Sequence, residues 1–152
     1  MPVFSPEDSL NIIRFLYLCP DGFRHKSMRL ALTTASSNLG ILKTTAEGIT
    51  ASIYIRGAAL SFIETIAGEI LELGSLLNWT SQIPVSLPCW EYREDSPLRN
   101  SLKKAYQDVT GKEMKEHAEH GCLEAGHFTA MKPEMDIATL GPLVVDYHTY
   151  DE

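Results

Sequence analysis

Residues 49–56 alternate without a break, with Ile49, Ala51, Ile53 and Ile55 separated by Thr50, Ser52, Tyr54 and Arg56. Only an extended chain sends neighbouring side chains to opposite sides, so this stretch is expected as a strand buried on one face. Immediately afterwards the period changes. Over residues 58–77 the apolar positions Ile63, Ile66, Ala67, Ile70, Leu73 and Leu77 fall on one helical stripe, with Glu64, Glu69 and Glu72 largely off it. A one-faced strand followed at once by an amphipathic helix implies a sheet with a helix packed on its apolar side.

The flanking sequence extends that unit. Ser5-Pro6-Glu7-Asp8 carries an N-cap residue, a proline at the first helical position and two first-turn acids. Leu10, Ile13, Leu16 and Tyr17 follow at helical spacing, and Pro20-Asp21-Gly22 reads as the turn that ends this helix. Asn38-Leu39-Gly40 and Ala46-Glu47-Gly48 punctuate the region before the alternating strand. That pattern predicts up to three antiparallel strands, at 28–36, 41–45 and 49–56, joined as a meander. Residues 79–85 read as a further strand, with an irregular exit through Pro84 and Pro88.

A second region begins near Trp90. Asp95-Ser96-Pro97 opens a helix with Leu98, Leu102, Ala105, Tyr106 and Val109 on one face and Gly111 as its stop. Residues 136–140 are expected to form a short buried strand. The fold class is therefore α+β, within the broad α/β group.

Composition excludes several functions. A net charge of −7 with no Lys/Arg-rich run offers nothing to a phosphate backbone or an anionic membrane. No apolar run approaches the roughly 20 residues of a membrane span, and no signal peptide is visible at Met1. Cys19, Cys89 and Cys122 are odd in number and widely spaced, which fits a reducing, cytoplasmic setting. Neither a Gly-x-Ser-x-Gly elbow nor a glycine-rich phosphate loop is present, so serine hydrolase and nucleotide-binding chemistry have no support.

Four of the five histidines lie between His117 and His148, among Glu116, Glu119, Glu124, Asp136, Asp146, Asp151 and Glu152. Imidazole and carboxylate are the ligands that zinc, manganese and cobalt share. On pattern alone a solvated polar loop is the more economical reading, because Gly121 and Gly126 interrupt the helix that would bring His117, His120 and Glu124 together. By the same reasoning His148 reads as a surface histidine, Trp90 and Tyr92 as packing anchors and Cys122 as a small buried residue.

Motif order adds a resemblance. The stretch Glu119-His120-Gly121-Cys122-Leu123-Glu124-Ala125-Gly126-His127-Phe128 is followed by Pro133-Glu134-Met135-Asp136-Ile137-Ala138-Thr139-Leu140-Gly141-Pro142 and by His148-Thr149-Tyr150-Asp151-Glu152. It resembles the closing motifs H-A-G-L-E-C-G-x-F, P-E-M-D-x-x-S-I-G-P and H-S-P-D-E of the aminoacyl-histidine dipeptidases. Upstream, Pro88-Cys89-Trp90, Asp95-Ser96-Pro97 and Ser36-Ser37-Asn38-Leu39-Gly40 resemble that family's P-G-W, D-S-P and S-x-N-L-G. Thr149-Tyr150 replaces the Ser-Pro of the final motif.

The resemblance implies a lid or dimerisation domain, an antiparallel sheet with helices on one face, over residues 1–90. Residues 91–152 would then be the incomplete closing segment of a catalytic domain. It implies a metal-dependent dipeptidase that cleaves Xaa-His dipeptides with two zinc ions, or manganese or cobalt, and that dimerises through its lid. His148 matches the family's late metal ligand, and Glu124 and His120 match residues near the substrate cleft. No catalytic base is carried over, since the family's H-x-D and Glu-Glu motifs do not occur here. Both ends read as truncated, so the expectation is a fragment inactive by itself, with a non-catalytic dimerisation or ligand-binding module as the alternative.

Overall fold

The computed structural model describes residues 4–28, 32–116, 123–141 and 150. Its elements run α1 (Pro6–Leu18), β1 (Gly22–Ser27), β2 (Leu32–Thr44), β3 (Ile49–Gly57), α2 (Leu60–Leu76), α3 (Pro97–Thr110) and α4 (Ala125–Met131). The strands form one antiparallel sheet in the order β1-β2-β3. This is the α+β arrangement that the change of period implies.

The strands differ in position from the expectation. The first is Gly22–Ser27, and residues 32–36 and 41–44 of the two segments expected at 28–36 and 41–45 belong to a single strand, Leu32–Thr44. Asn38-Leu39-Gly40 does not turn the chain. It forms a bulge, where the register slips between Leu39 opposite Ile53 and Ile41 opposite Ser52. Asn38 and Gly40 both keep negative φ, so neither supplies the left-handed residue of a tight hairpin. The missing side chain at Gly40 has another use, since a Cβ there would lie 3.0 Å from the Tyr54 ring carbons. The real turn between β2 and β3 is at Gly48, with φ of 147° and the Thr45 N–H donating to the Gly48 carbonyl at 2.7 Å.

The core sits between the sheet and helices α1 and α2. Phe15, Cys19, Leu73 and Leu77 are buried together, with Leu39, Ala51, Ile53, Ile70 and Trp79 packed against them. The isoleucine face of β3 thus meets α2, as the alternation requires. On α1 the inward residue is Phe15, 3% exposed, whereas Leu10, Ile13, Leu16 and Tyr17 all stand in solvent. The Ser5 hydroxyl does cap α1, accepting from the Asp8 N–H at 3.0 Å.

Residues 79–85 are not a strand. Asn78 adopts φ of 57° just after α2 and redirects the chain, and Trp79 is used instead to pack on Phe15, with ring centroids 4.7 Å apart and the planes tilted by 32°. Residues 136–140 are not a strand either, because the Asp136 carboxylate is committed to capping α3. That helix has the expected ends, with Ser96 accepting from the Arg99 N–H at 3.1 Å and Gly111 left-handed at φ 69°. Among the described residues, no helix is long and apolar enough to cross a membrane.

Candidate functional site

Cross-strand pairing sets Ser36 opposite Arg56 and Asn38 opposite Tyr54. Directly paired residues point to the same side, and Leu39, Ala51 and Ile53 occupy the other side against α2. Ser36, Asn38, Tyr54 and Arg56 therefore share the uncovered face, where they line an open concavity of about 390 Å³. Among the described residues no carboxylate pairs with Arg56, so its guanidinium can take a ligand anion. The alternation of β3 placed Tyr54 and Arg56 on this face in advance. Ser36 and Asn38 were missed as their neighbours because the bulge was taken for a turn.

A second concavity of about 540 Å³ lies between the irregular segment containing Cys89, Trp90 and Tyr92 and the stretch containing Thr129, Met135 and Ile137. Close packing of Gly126 against the Pro88 carbonyl holds its two walls together.

Two carboxylates of the His/Glu/Asp-rich region, Asp136 and Glu116, have separate employments. Asp136 accepts from the Ser96 hydroxyl at 2.6 Å and from the Leu98 N–H at 2.8 Å. These two bonds, with the charges of Arg93 and Arg99, hold its carboxyl below the usual aspartate range against a smaller opposing desolvation. Glu116 pairs with Lys103, lies 3.2 Å from Arg99 Nε as an ion pair and accepts from the Tyr92 hydroxyl at 3.3 Å. The Lys103 hydrogen bond is the main reason its carboxyl is held down. Arg99 also lies over the Tyr92 ring, 4.7 Å from its centroid.

Glu124 sits immediately before α4 with an exposed side chain that makes no cap hydrogen bond. Its backbone carbonyl accepts from the His127 N–H at 3.0 Å. His120, His148 and Cys122 lie outside the described residues. No three or more His, Cys, Asp or Glu side chains among the described residues are grouped to hold a metal ion. Cys19 is a core residue whose thiol is pushed up by burial and by the Asp21 charge, the opposite of an activated nucleophile.

The crystal structure of an aminoacylhistidine dipeptidase from Vibrio alginolyticus superposes on 92% of this chain with a TM-score of 0.83 and 25% sequence identity. The cytosol non-specific dipeptidase of Escherichia coli K12 is 26% identical over 141 residues, again 92% of the chain. The chain is similar to these two dipeptidases over 92% of its length. It spans 29% of the length of each of these two proteins. No family profile matches it. The dipeptidase kinship carried by the closing motifs is thereby shown, and so is the α+β fold that went with it.

Proposed function

We propose that this chain works as part of a cytoplasmic, metal-dependent dipeptidase that hydrolyses Xaa-His dipeptides, and that it does so as a homodimer joined through the lid. Residues 1–90 are the later part of the lid and residues 91–152 belong to the catalytic domain. The observation that carries the reading is the open sheet face, where one guanidinium, one amide, one phenol and one hydroxyl converge on a concavity. A dipeptide presents a terminal carboxylate and one peptide group, and those are the partners such a set can bind.

The roles follow from chemistry. Arg56 binds the substrate carboxylate, and Asn38 and Tyr54 orient the peptide. Glu124, with its free and exposed carboxylate, contacts the substrate's ammonium or imidazole, alongside His120. His148 is a metal ligand, supported by its place in the closing motif.

Zinc, manganese or cobalt would polarise the scissile carbonyl and lower the pKa of the attacking water. The described residues assemble no such site. This chain's own described contribution is to bind and orient substrate, and by itself it does not hydrolyse dipeptides.

The test is a chimera in which residues 1–152 replace the matched region of the Escherichia coli dipeptidase. Arg56→Met in that enzyme should raise KM for a Xaa-His dipeptide by roughly 10- to 100-fold, the loss of one charge-assisted hydrogen bond. An unchanged KM would remove the open face from the site.

A further inference from the structure

One position on the open sheet face has no side chain, and Tyr54 and Asn38 both border the space it leaves. A Cβ at Gly40 would lie 3.0 Å from the Cδ2 and the Cε2 carbons of Tyr54 and 3.6 Å from the Asn38 amide nitrogen. Carbon atoms in contact prefer roughly 3.5–4.0 Å, so one edge of the Tyr54 ring takes up the place of the missing side chain. Gly40 does not adopt a positive φ, and its use is therefore steric rather than conformational. An exposed tyrosine, here 57% accessible, can otherwise choose among its staggered rotamers. Packing of the ring edge into the gap at position 40 selects one of them.

The backbone at this point is irregular. Gly40 is the extra residue of the β2 bulge, between Leu39 opposite Ile53 and Ile41 opposite Ser52. A bulge bends its strand and re-aims the side chains beside it. The turn before β1 clamps the approach to the bulge from the other side. There the Leu39 N–H donates to the Asp21 carboxylate at 2.7 Å, and the Ser37 hydroxyl donates to the Pro20 carbonyl at 2.8 Å. Asn38, the cross-strand partner of Tyr54, stands between these two held residues.

We propose that Gly40 is a positioning residue for the open-face site, seating the Tyr54 ring against the Asn38 amide, with Asp21 as the clamp that holds the bulge in register. Neither Gly40 nor Asp21 lines the concavity, which is bounded by Ser36, Asn38, Tyr54 and Arg56. Both act through Tyr54 and Asn38. The effect on turnover rests on the dipeptidase reading above, whereas the seat of the ring does not.

A substitution cycle tests the proposal in the chimera. Gly40→Ala and Gly40→Val should raise KM for a Xaa-His dipeptide in that order, by about 2-fold and about 10-fold, the larger value matching the loss of one hydrogen bond from the Tyr54 hydroxyl. The value of kcat should change less than about 2-fold, because the group displaced is one that binds substrate. Valine suits an extended strand, so this loss is not one of sheet formation. In a Tyr54→Ala background neither substitution should raise KM further, since there is no ring left to displace. Asp21→Ala, which leaves position 40 untouched, should follow the same rule. In the 152-residue chain, the seat itself should appear as a nuclear Overhauser contact between the Gly40 α protons and the Tyr54 ring protons.

Absence of that contact would overturn the proposal. So would an unchanged KM in Gly40→Val where Arg56→Met does raise it, a result that would leave the dipeptide reading standing. Losses that add in the Tyr54→Ala background would also overturn it, by assigning Gly40 to the strand rather than to the ring. If the Gly40→Val chimera does not fold, Asp21→Ala decides by the same cycle, and an unchanged KM there would overturn the proposal. An Overhauser contact together with an Arg56→Met chimera of unchanged KM would uphold the seat of the ring while removing the dipeptide reading.

Discussion

The Ser96 hydroxyl and the Asp136 carboxylate, forty residues apart in sequence, meet at 2.6 Å, and the second carboxylate oxygen accepts from the Leu98 N–H. Ser96 is 1% exposed, the most deeply buried polar side chain described. Two sequence motifs, Asp95-Ser96-Pro97 and Pro133-Glu134-Met135-Asp136, are therefore one structural device. It caps α3 and fixes the closing segment on it, with the Arg93 guanidinium adding a bond to the Glu134 carbonyl at 3.0 Å. Replacing Ser96 with alanine should cost about 1 kcal/mol, the usual value of an N-cap. Amide exchange should accelerate first in residues 97–110 and leave the sheet protected. Uniform acceleration across the chain would contradict this.

The same device predicts a pH dependence. The Asp136 and Glu116 carboxyls are held below their ordinary values of 3.8 and 4.5. A depressed folded-state pKa means the contribution is fully present above the unfolded value and is lost as pH falls through the folded one. Protection of α3 should therefore begin to weaken below about pH 4.5, before the apolar core of α1, α2 and the sheet responds. Glu116 is exposed and Asp136 half-buried, so the effect should be modest and should shrink with salt. In Asp136→Asn the acid-dependent part should be reduced, as measured by exchange in residues 97–110 across pH 3–6.

Two glycines should behave in opposite ways. A Cβ at Gly126 would collide with the backbone carbonyl of Pro88, which has no side-chain freedom to yield. Gly126→Ala should destabilise the packing of α4 and change the fluorescence of neighbouring Trp90. A Cβ at Gly68, inside α2, meets nothing within 4 Å. Gly68→Ala should stabilise by about 0.5–1 kcal/mol, read as a raised denaturation midpoint.

The two faces of β3 make a third pair. Ile53→Asp puts an unpaired charge against the Phe15, Leu73 and Leu77 cluster and should cost about 2–4 kcal/mol. Tyr54→Asp, one residue along and on the open face, should stay within about 1 kcal/mol. Equal effects in chemical denaturation would mean the faces are misassigned.

What the sequence disclosed and withheld follows the range of the forces involved. Strand β3, helix α2 and both ends of α3 were readable because alternation, a helical stripe and capping residues act over a few neighbours. The bulge at Gly40 was misread because Asn-Leu-Gly is equally good turn chemistry, and only pairing with Ile53 and Ser52 decides between the two. On α1 apolar residues occur all around the helix, so periodicity could not single out Phe15 as the inward one. The roles of Asp136 and Glu116 depend on partners up to forty residues away, Ser96 and Lys103 among them, and no local pattern contains that information. For the open-face site, the alternation exposed Tyr54 and Arg56, but adding Ser36 and Asn38 required the register of β2.

The 152-residue chain alone should release no histidine from a Xaa-His dipeptide with zinc, manganese or cobalt present. Turnover by rigorously purified chain would show that a complete site exists within it.

The most direct measurement is metal stoichiometry together with steady-state rates for the chimera and its His148→Ala variant. Occupancy and turnover are expected to fall together, with a rate loss beyond the roughly 10- to 100-fold that follows when only a group orienting a ligand is removed. Full metal content and full activity in His148→Ala would contradict the assignment of this chain's closing motif to a dipeptidase metal site.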